Sequence, residues 1–171
     1  MVEAASGVSW MNRWMKPGVV LIATALMIAC VNQREQTKRE IQRFMQTATG
    51  EFLNASGNTL VMVPVYSRMI GLDTLYVERI ASGGGTSERL VSLEASPDGK
   101  KILQLSFVFT QQGQWRNLRD NPELFTALLP KDVRPAGTCD IKLAADLNSL
   151  TYSCGGSVPE SFTRAQHGAA R

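Results

Sequence analysis

The sequence predicts an all-β fold in which an antiparallel sheet curls into a barrel or a sandwich. Between Leu60 and Cys154, apolar residues recur at every second position over several runs, which is the spacing of strands with one buried face. Short turn sequences such as Pro97-Asp98-Gly99 join these runs into hairpins. A sheet made of long strands and short turns hides its edges by curling.

The segment GTCDIKLAADLNSLTYSC, from Gly137 to Cys154, predicts a β-hairpin closed by its own two cysteines. With the turn centred between Asp146 and Leu147, Cys139 falls opposite Cys154 on the apolar face. Opposed Cβ atoms lie about 4.5–5.5 Å apart, which is close to disulfide range. In a cytosolic protein the two cysteines would instead stay buried free thiols, because the cytosol keeps thiols reduced. The same register pairs Leu143 with Leu150 and Ile141 with Tyr152.

Two earlier segments predict further strands. In LVMVPVYS, which begins at Leu60, Pro64 marks a sheet edge or a bulge because proline cannot donate to a ladder. In TLYVERIA the side chains alternate between two faces, and the sequence does not say which face points inward. One face carries Tyr76, Glu78 and Ile80, and the other carries Leu75, Val77 and Arg79.

The segment RLVSLEASPDGKKILQLSFVFT predicts the next hairpin. Its Pro97-Asp98-Gly99 suits a type I turn with Gly99 in the left-handed conformation. This turn would pair Leu93 with Leu103 and Val91 with Leu105. The inward face of the second strand would then hold Leu103, Leu105, Phe107 and Phe109.

Two helices complete the predicted fold. Ile41, Phe44, Met45 and Ala48 share one helical face, Thr37 and Glu40 form a capping box, and Gly50 stops the helix. We expect this helix to pack on the domain rather than lie on a membrane. In RDNPELFTALLPKDV, Asn121 is the N-cap and Pro130 the stop of a short helix that plugs one end of the sheet. Its buried side would hold Leu124, Leu128 and Phe125.

The N-terminus resembles an export signal. The stretch MNRWMKPGVVLIATALMIAC has a basic start, an apolar core from Val19 to Ala29 and a cysteine, Cys30, in a lipobox-like MIAC ending. The apolar core is shorter than the roughly 20 residues that span a bilayer. We therefore expect cleavage after Ala29 and lipidation of Cys30; the alternatives are an ordinary secretory signal and a buried core segment. Met11 is a plausible true start.

Composition limits the function classes. The 171 residues carry a net charge of +3 without basic stripes, which argues against nucleic-acid binding. The three cysteines divide into Cys30 for lipid and the Cys139–Cys154 pair for a bridge, so we expect no metal site. The only histidine, His167, lies in a tail from residue 155 that lacks alternation and that we expect to be disordered. No hydrolase motif is present.

Five short segments in order resemble the phycobiliprotein chromophore lyases of the CpcT/CpeT type. They are MVPVY, LYVERI, PDG, NPELFTALLP and the GTCDI hairpin with its second cysteine, between Ile41 and Cys154. The resemblance implies a calycin or lipocalin-like antiparallel barrel, often dimeric, that holds an open-chain tetrapyrrole (bilin) and transfers it to a cysteine of a phycobiliprotein. Family members continue beyond the second cysteine with further strands. We therefore expect an incomplete barrel here, shortened by truncation or a frameshift.

The resemblance also indicates candidate ligand-binding residues. Glu78 corresponds to the glutamate of the family's YVE segment, and Arg89 to an arginine on the following strand. Arginine suits the propionates of a bilin, a carboxylate suits its pyrrole N–H groups, and Tyr76 could stack on the pigment. The alternative is a cross-strand ion pair between Glu78 and Arg89 with no ligand. The resemblance assigns no catalytic residue.

These expectations divide the chain into residues 1–29 (signal with lipobox), 30–57 (lipidated cysteine, linker and helix), 58–154 (barrel) and 155–171 (tail). We expect a lipid-anchored protein of the bacterial envelope whose partners are the membrane, a tetrapyrrole or similar small amphipathic ligand, and a second copy of itself. A bilin lyase is the first functional hypothesis. The alternatives are a non-catalytic ligand-binding lipoprotein of calycin type and a structural or interaction lipoprotein.

Overall fold

Eight antiparallel strands form a closed barrel in which each strand pairs with its neighbours in sequence and the last pairs with the first. The computed structural model describes residues 17–111 and 119–165, with side chains from residue 33 onward. One long helix precedes the barrel and a short 3₁₀ helix interrupts it. The elements are α1 (Pro17–Ala48), β1 (Gly50–Leu53), β2 (Thr59–Ser67), β3 (Gly71–Ile80), β4 (Thr86–Ala95), β5 (Ile102–Phe109), the 3₁₀ helix (Pro122–Ala127), β6 (Val133–Leu143), β7 (Ser149–Cys154) and β8 (Glu160–Arg164).

The β6–β7 hairpin has the predicted register. Cys139 lies opposite Cys154, and the two cysteines form a disulfide. The apolar pairs Ile141 with Tyr152 and Leu143 with Leu150 are also confirmed. The sequence specified this register because two independent constraints, the apolar face and the cysteines, agree on one alignment.

The barrel interior is an apolar core to which seven of the strands contribute a buried side chain and β5 the partly buried Ile102. These core residues all come from one face of the sheet, because directly opposed residues point to the same side. Met62 lies opposite Val77, and Leu75 lies opposite Val91. An eight-stranded barrel is just wide enough for its side chains to fill or for one small ligand. The largest fully buried core residues are Phe52, Leu60, Met62, Leu75, Ile141 and Phe162.

Helix α1 lies across one end of the barrel. Ile41, Met45 and Ala48 are buried against the core, which confirms the predicted packing of the helix on the domain. The Thr37 hydroxyl donates to the Gly99 carbonyl at 2.5 Å, which ties the helix to the β4–β5 turn. The predicted capping box was wrong, because the helix begins at Pro17 and Thr37 lies within it. The helix ends two residues before Gly50.

The β4–β5 register differs from the prediction by one residue. Val91 pairs with Ser106 rather than Leu105, and Leu93 pairs with Gln104 rather than Leu103. Gly99 is left-handed as predicted (φ +69°), but the turn has four residues between Ser96 and Lys101. A slip of one residue exchanges the two faces of a strand. The residues predicted to point inward, Leu103, Leu105, Phe107 and Phe109, therefore lie on the outer face.

The 3₁₀ helix covers part of that outer face instead of plugging an end. Phe125 and Leu128 are buried in a second apolar cluster with Tyr76, Leu90 and Phe109. Leu124, which was predicted to be buried, is 47 % exposed. A 3₁₀ helix has three residues per turn, so it presents a narrower apolar side than the predicted α-helix.

Strand β8 closes the barrel, so the predictions of a missing wall and of a tail disordered from residue 155 were wrong. Phe162 is buried in the core opposite Leu150, and β8 also pairs with β1 through Thr163 and Arg164. The Arg164 guanidinium donates to the carbonyls of Thr47 and Thr49 at the end of α1. The five residues of β8 do alternate, but the segment was too short and polar to be recognised. His167 lies outside the described residues.

Candidate functional site

Three arginines of the interior face lie towards the end of the barrel opposite α1, and of these Arg134 on β6, opposite Val108, is exposed. Arg79 on β3 and Arg89 on β4 share the face of Val77, because Arg89 pairs with Val77 and Arg79 lies two residues along the same strand. Glu160 on β8 joins them on this face, opposite Tyr152. We call Arg79, Arg89, Tyr152 and Glu160 the interior polar cluster. It places charge at the rim of an otherwise apolar core.

Arg79 forms an ion pair with Glu160. Its Nε and Nη2 donate to the two carboxylate oxygens, each at 3.0 Å, in a bidentate pair. The side-chain amides of Asn54 and Asn58 donate to the same carboxylate at 3.1 and 3.2 Å. Four donors therefore hold the Glu160 carboxylate, and the only cation among them is Arg79.

Arg89 is the cation of this cluster that lacks an anion. Its Nη1 lies 3.4 Å from the Ser106 hydroxyl, which is a weak contact. Its Nε is buried and has no hydrogen-bond partner among the described residues. Leaving a buried donor unpaired costs about 1–3 kcal/mol, and more for a charged group. Arg89 therefore presents an unsatisfied positive charge to the interior.

Tyr152 lies close enough to Arg79 and Arg89 for their positive charges to affect the pKa of its hydroxyl. Burial raises the pKa of Tyr152, while Arg89 and Arg79 lower it. Its ring packs edge-on against Phe162, with 6.4 Å between centroids. The cluster thus combines a neutral phenol, a free guanidinium and an aromatic wall.

The three candidate ligand-binding residues, Tyr76, Glu78 and Arg89, do not lie on one face of the sheet. Val61 and Glu88 flank Glu78 in the sheet, and these residues face outward, away from Arg89. A cross-strand ion pair between Glu78 and Arg89 is therefore wrong as well, since they lie on opposite faces. Tyr76 also faces outward and is fully buried beneath Phe125, with 5.4 Å between the ring centroids.

The outer face holds its own group of ionisable residues. Glu78 lies 3.9 Å from Arg119, and Glu88 is directly opposite Glu78 on the neighbouring strand. Burial raises the pKa of Glu78, Arg119 lowers it, and Glu88 and Asp120 raise it further. Burial also raises the pKa of Tyr76, and the carboxylates of Glu78 and Glu88 add to this rise.

A second concavity lies between α1 and the β2–β3 hairpin. This groove of about 440 Å³ lies where β2 continues beyond the residues that pair with β1. Pro64 is in this part of β2 and is exposed, as expected of a sheet edge. None of the described residues that line the groove is cationic. It is lined by Gln42, Met45, Gln46, Thr49, Pro64, Leu72 and Asp73.

Several functional expectations fall outside what the structure describes. The basic start of the export signal precedes residue 17, and the side chain of Cys30 is not described, although α1 runs through this position. Among the described helices, none is both long enough and apolar enough to cross a membrane. The described residues also contain no group of three or more histidine, cysteine or acidic side chains that could hold a metal ion.

Sequence reasoning missed four polar residues. Arg79 was seen only as part of an alternating strand, and Glu160 lay in the supposed tail. Glu88 could not be recognised because its role depends on which face of β4 points outward. Arg119 could not be recognised because its role depends on how residues 119–128 pack on the barrel. The only sequence signal for Glu160 was the period of two in ESFTR, where Glu160, Phe162 and Arg164 share a face.

Comparison of the chain with protein-family models, with curated proteins and with solved structures found no match.

Proposed function

We propose that the protein binds a small amphipathic ligand through an anionic group at Arg89, in the end of the barrel opposite α1. The observation that carries this proposal is the buried Nε of Arg89, which has no partner among the described residues, while the neighbouring Arg79 forms a bidentate pair with Glu160. A ligand carboxylate would supply the missing acceptor. Tyr152 and the apolar core below would accept the ligand's apolar body.

A linear tetrapyrrole fits this description, since it combines propionates with an apolar ring system. This agrees with the resemblance to the chromophore lyases, and a fatty acid has the same chemistry in simpler form. We propose binding rather than transfer to a cysteine, because Tyr76 and Glu78 face away from Arg89. A zinc-fluorescent adduct on a phycobiliprotein incubated with bilin and this protein would show transfer as well.

Substitution of Arg89 tests the binding proposal. Arg89→Gln should weaken binding of biliverdin or laurate by about 1.5–3 kcal/mol, the usual contribution of a charge-assisted hydrogen bond. That loss corresponds to roughly 10- to 150-fold in Kd, measured by absorbance change for biliverdin and by calorimetry for laurate. Arg43→Gln, at an exposed position of α1, is the matched control and should bind as the wild type does.

The two probes separate the ligand types. Binding of biliverdin alone would identify a tetrapyrrole site, and binding of laurate alone would identify a fatty-acid site. An unchanged Kd for both probes in Arg89→Gln, or no binding of either probe to the wild-type chain, would contradict the proposal.

We also propose that the chain is exported and attached to the bacterial envelope through a lipid on Cys30. The basic and apolar pattern before Cys30 supports this placement, and so does the Cys139–Cys154 disulfide, because such bonds persist in oxidising compartments. Expression in a bacterium with labelled palmitate should give a labelled protein whose label is lost in Cys30→Ser. Equal labelling of both forms would contradict lipidation at this residue.

A further inference from the structure

Two glutamates face each other on the outer face of the barrel. Glu78 on β3 and Glu88 on β4 are direct cross-strand partners. Cβ atoms in such pairs are about 4.5–5.5 Å apart, and like charges at these positions repel. The sheet therefore holds two carboxyl groups close together whatever their ionisation.

Few of the described residues around this pair offer it a hydrogen-bond donor. The Glu78 side chain is 12 % exposed, and the Oε1 atom of Glu88 is buried without a hydrogen-bond partner. The hydroxyl of the fully buried Tyr76 makes no hydrogen bond of good geometry with the described residues, although the Glu88 carboxylate lies near enough to accept from it and so to raise the pKa of Tyr76. A buried ionised oxygen without a donor is strongly unfavourable, so these three groups are under-satisfied if both carboxyls are charged.

One nearby cation compensates only part of this charge. Arg119 is 42 % exposed, and its guanidinium is 3.9 Å from Glu78, at the outer limit of an ion pair. The same guanidinium lies 3.8 Å from Asp120, which competes for it. The other described neighbours are uncharged, since Val61 lies opposite Glu78 on β2, Val63 lies opposite Tyr76, and Phe109 of β5 contacts the Tyr76 ring.

We propose that Glu78 and Glu88 share one proton and form a proton-binding site that controls how firmly residues 119–128 lie on the barrel. When one carboxyl group is protonated, its O–H can form a hydrogen bond to the carboxylate of the other. The Tyr76 hydroxyl can then donate a second hydrogen bond to that carboxylate. The buried charge falls to one, which Arg119 can balance. Two carboxyl groups in one site behave in this way because both cannot ionise easily.

Loss of the proton places a second negative charge beside Tyr76, directly under Phe125 of the 3₁₀ helix. The sign of the pH dependence follows from the raised pKa of Glu78. A carboxyl group whose pKa is higher in the folded protein stabilises the fold fully below its unfolded pKa. That stabilisation is lost as the pH rises through the folded pKa. Packing of residues 119–128 should therefore weaken from mildly acidic towards alkaline pH.

The test compares Glu88→Gln with the wild-type full-length chain between pH 5 and pH 8. The amide removes one of the two charges and cannot lose a proton, so the Tm of the variant minus that of the wild type should grow by about 3 °C across this range. Glu94→Gln is the matched control, since Glu94 is an exposed residue on the same strand and the same face. Its Tm difference should stay constant with pH.

NMR gives an independent readout of packing. The methyl signals of Leu128, which lies in the Tyr76 cluster, should shift with pH in the wild type and shift less in Glu88→Gln, where Glu78 is the one carboxyl group of the pair that remains. If that variant does not fold, Glu78→Gln serves the same purpose, because it removes the other charge of the pair. Parallel Tm curves for variant and wild type, or Leu128 signals independent of pH in the wild type, would overturn the proposal.

Discussion

At the scale of residues, the interior polar cluster is defined by which arginine has a partner. Arg79 and Arg89 come from adjacent strands and face the same interior, but only Arg79 reaches a carboxylate. The sequence pointed to Arg89 through its family resemblance alone. It could not show that Arg89 lacks an anion among the described residues, because the carboxylate that pairs with Arg79 belongs to Glu160, which lies 81 residues further along the chain.

Glu160 should contribute measurably to stability. Glu160→Ala removes an acceptor of four hydrogen bonds and leaves Arg79, 28 % exposed, without an anion. We expect a loss of about 1–3 kcal/mol in the free energy of unfolding, measured by urea denaturation. Ser161→Ala, at the exposed neighbouring position, should change it by less than about 0.5 kcal/mol. Equal effects of the two substitutions would show that the Arg79–Glu160 pair is without energetic weight.

At the scale of elements, the β6–β7 and β4–β5 hairpins show when the register of two strands can be predicted from sequence. In β6 and β7 the cysteines and the apolar residues agree on one register, which the structure confirms. In β5 the odd-numbered apolar residues appeared to mark the inward face, but they lie on the outer face. There Phe109 is buried and Phe107 is partly buried in the cluster that contains Phe125 of the 3₁₀ helix, while Leu103 is exposed. Alternation reports which face of a strand is buried. It does not report whether the core or another segment buries it.

The β6–β7 disulfide should add stability through the loop that it closes. With a sequence separation of 15, the chain-entropy relation gives about 3 kcal/mol at 25 °C. Reduction with dithiothreitol should lower the free energy of unfolding by that order, and Cys139→Ser with Cys154→Ser should reproduce the loss and remove the sensitivity to reductant. Both thiols alkylating freely in the native protein before reduction would contradict the bond.

At the scale of the whole molecule, β8 makes the barrel closed and α1 covers one end of it. Both features depend on contacts over long sequence separations, such as those from Arg164 to the carbonyls of Thr47 and Thr49. Local patterns therefore predicted the sheet and its curling but not its closure. The same closure brings Glu160 to Arg79, whereas Arg89 has no anionic partner among the described residues.

The most direct test of the ligand site is an NMR titration that observes the Arg89 Nε–H signal while laurate or biliverdin is added. We expect a large, saturable shift of this signal together with that of the Tyr152 ring, and no shift for exposed Arg43 at the opposite end. Shifts confined to residues of the groove between α1 and the β2–β3 hairpin, with Arg89 unaffected, would contradict this expectation.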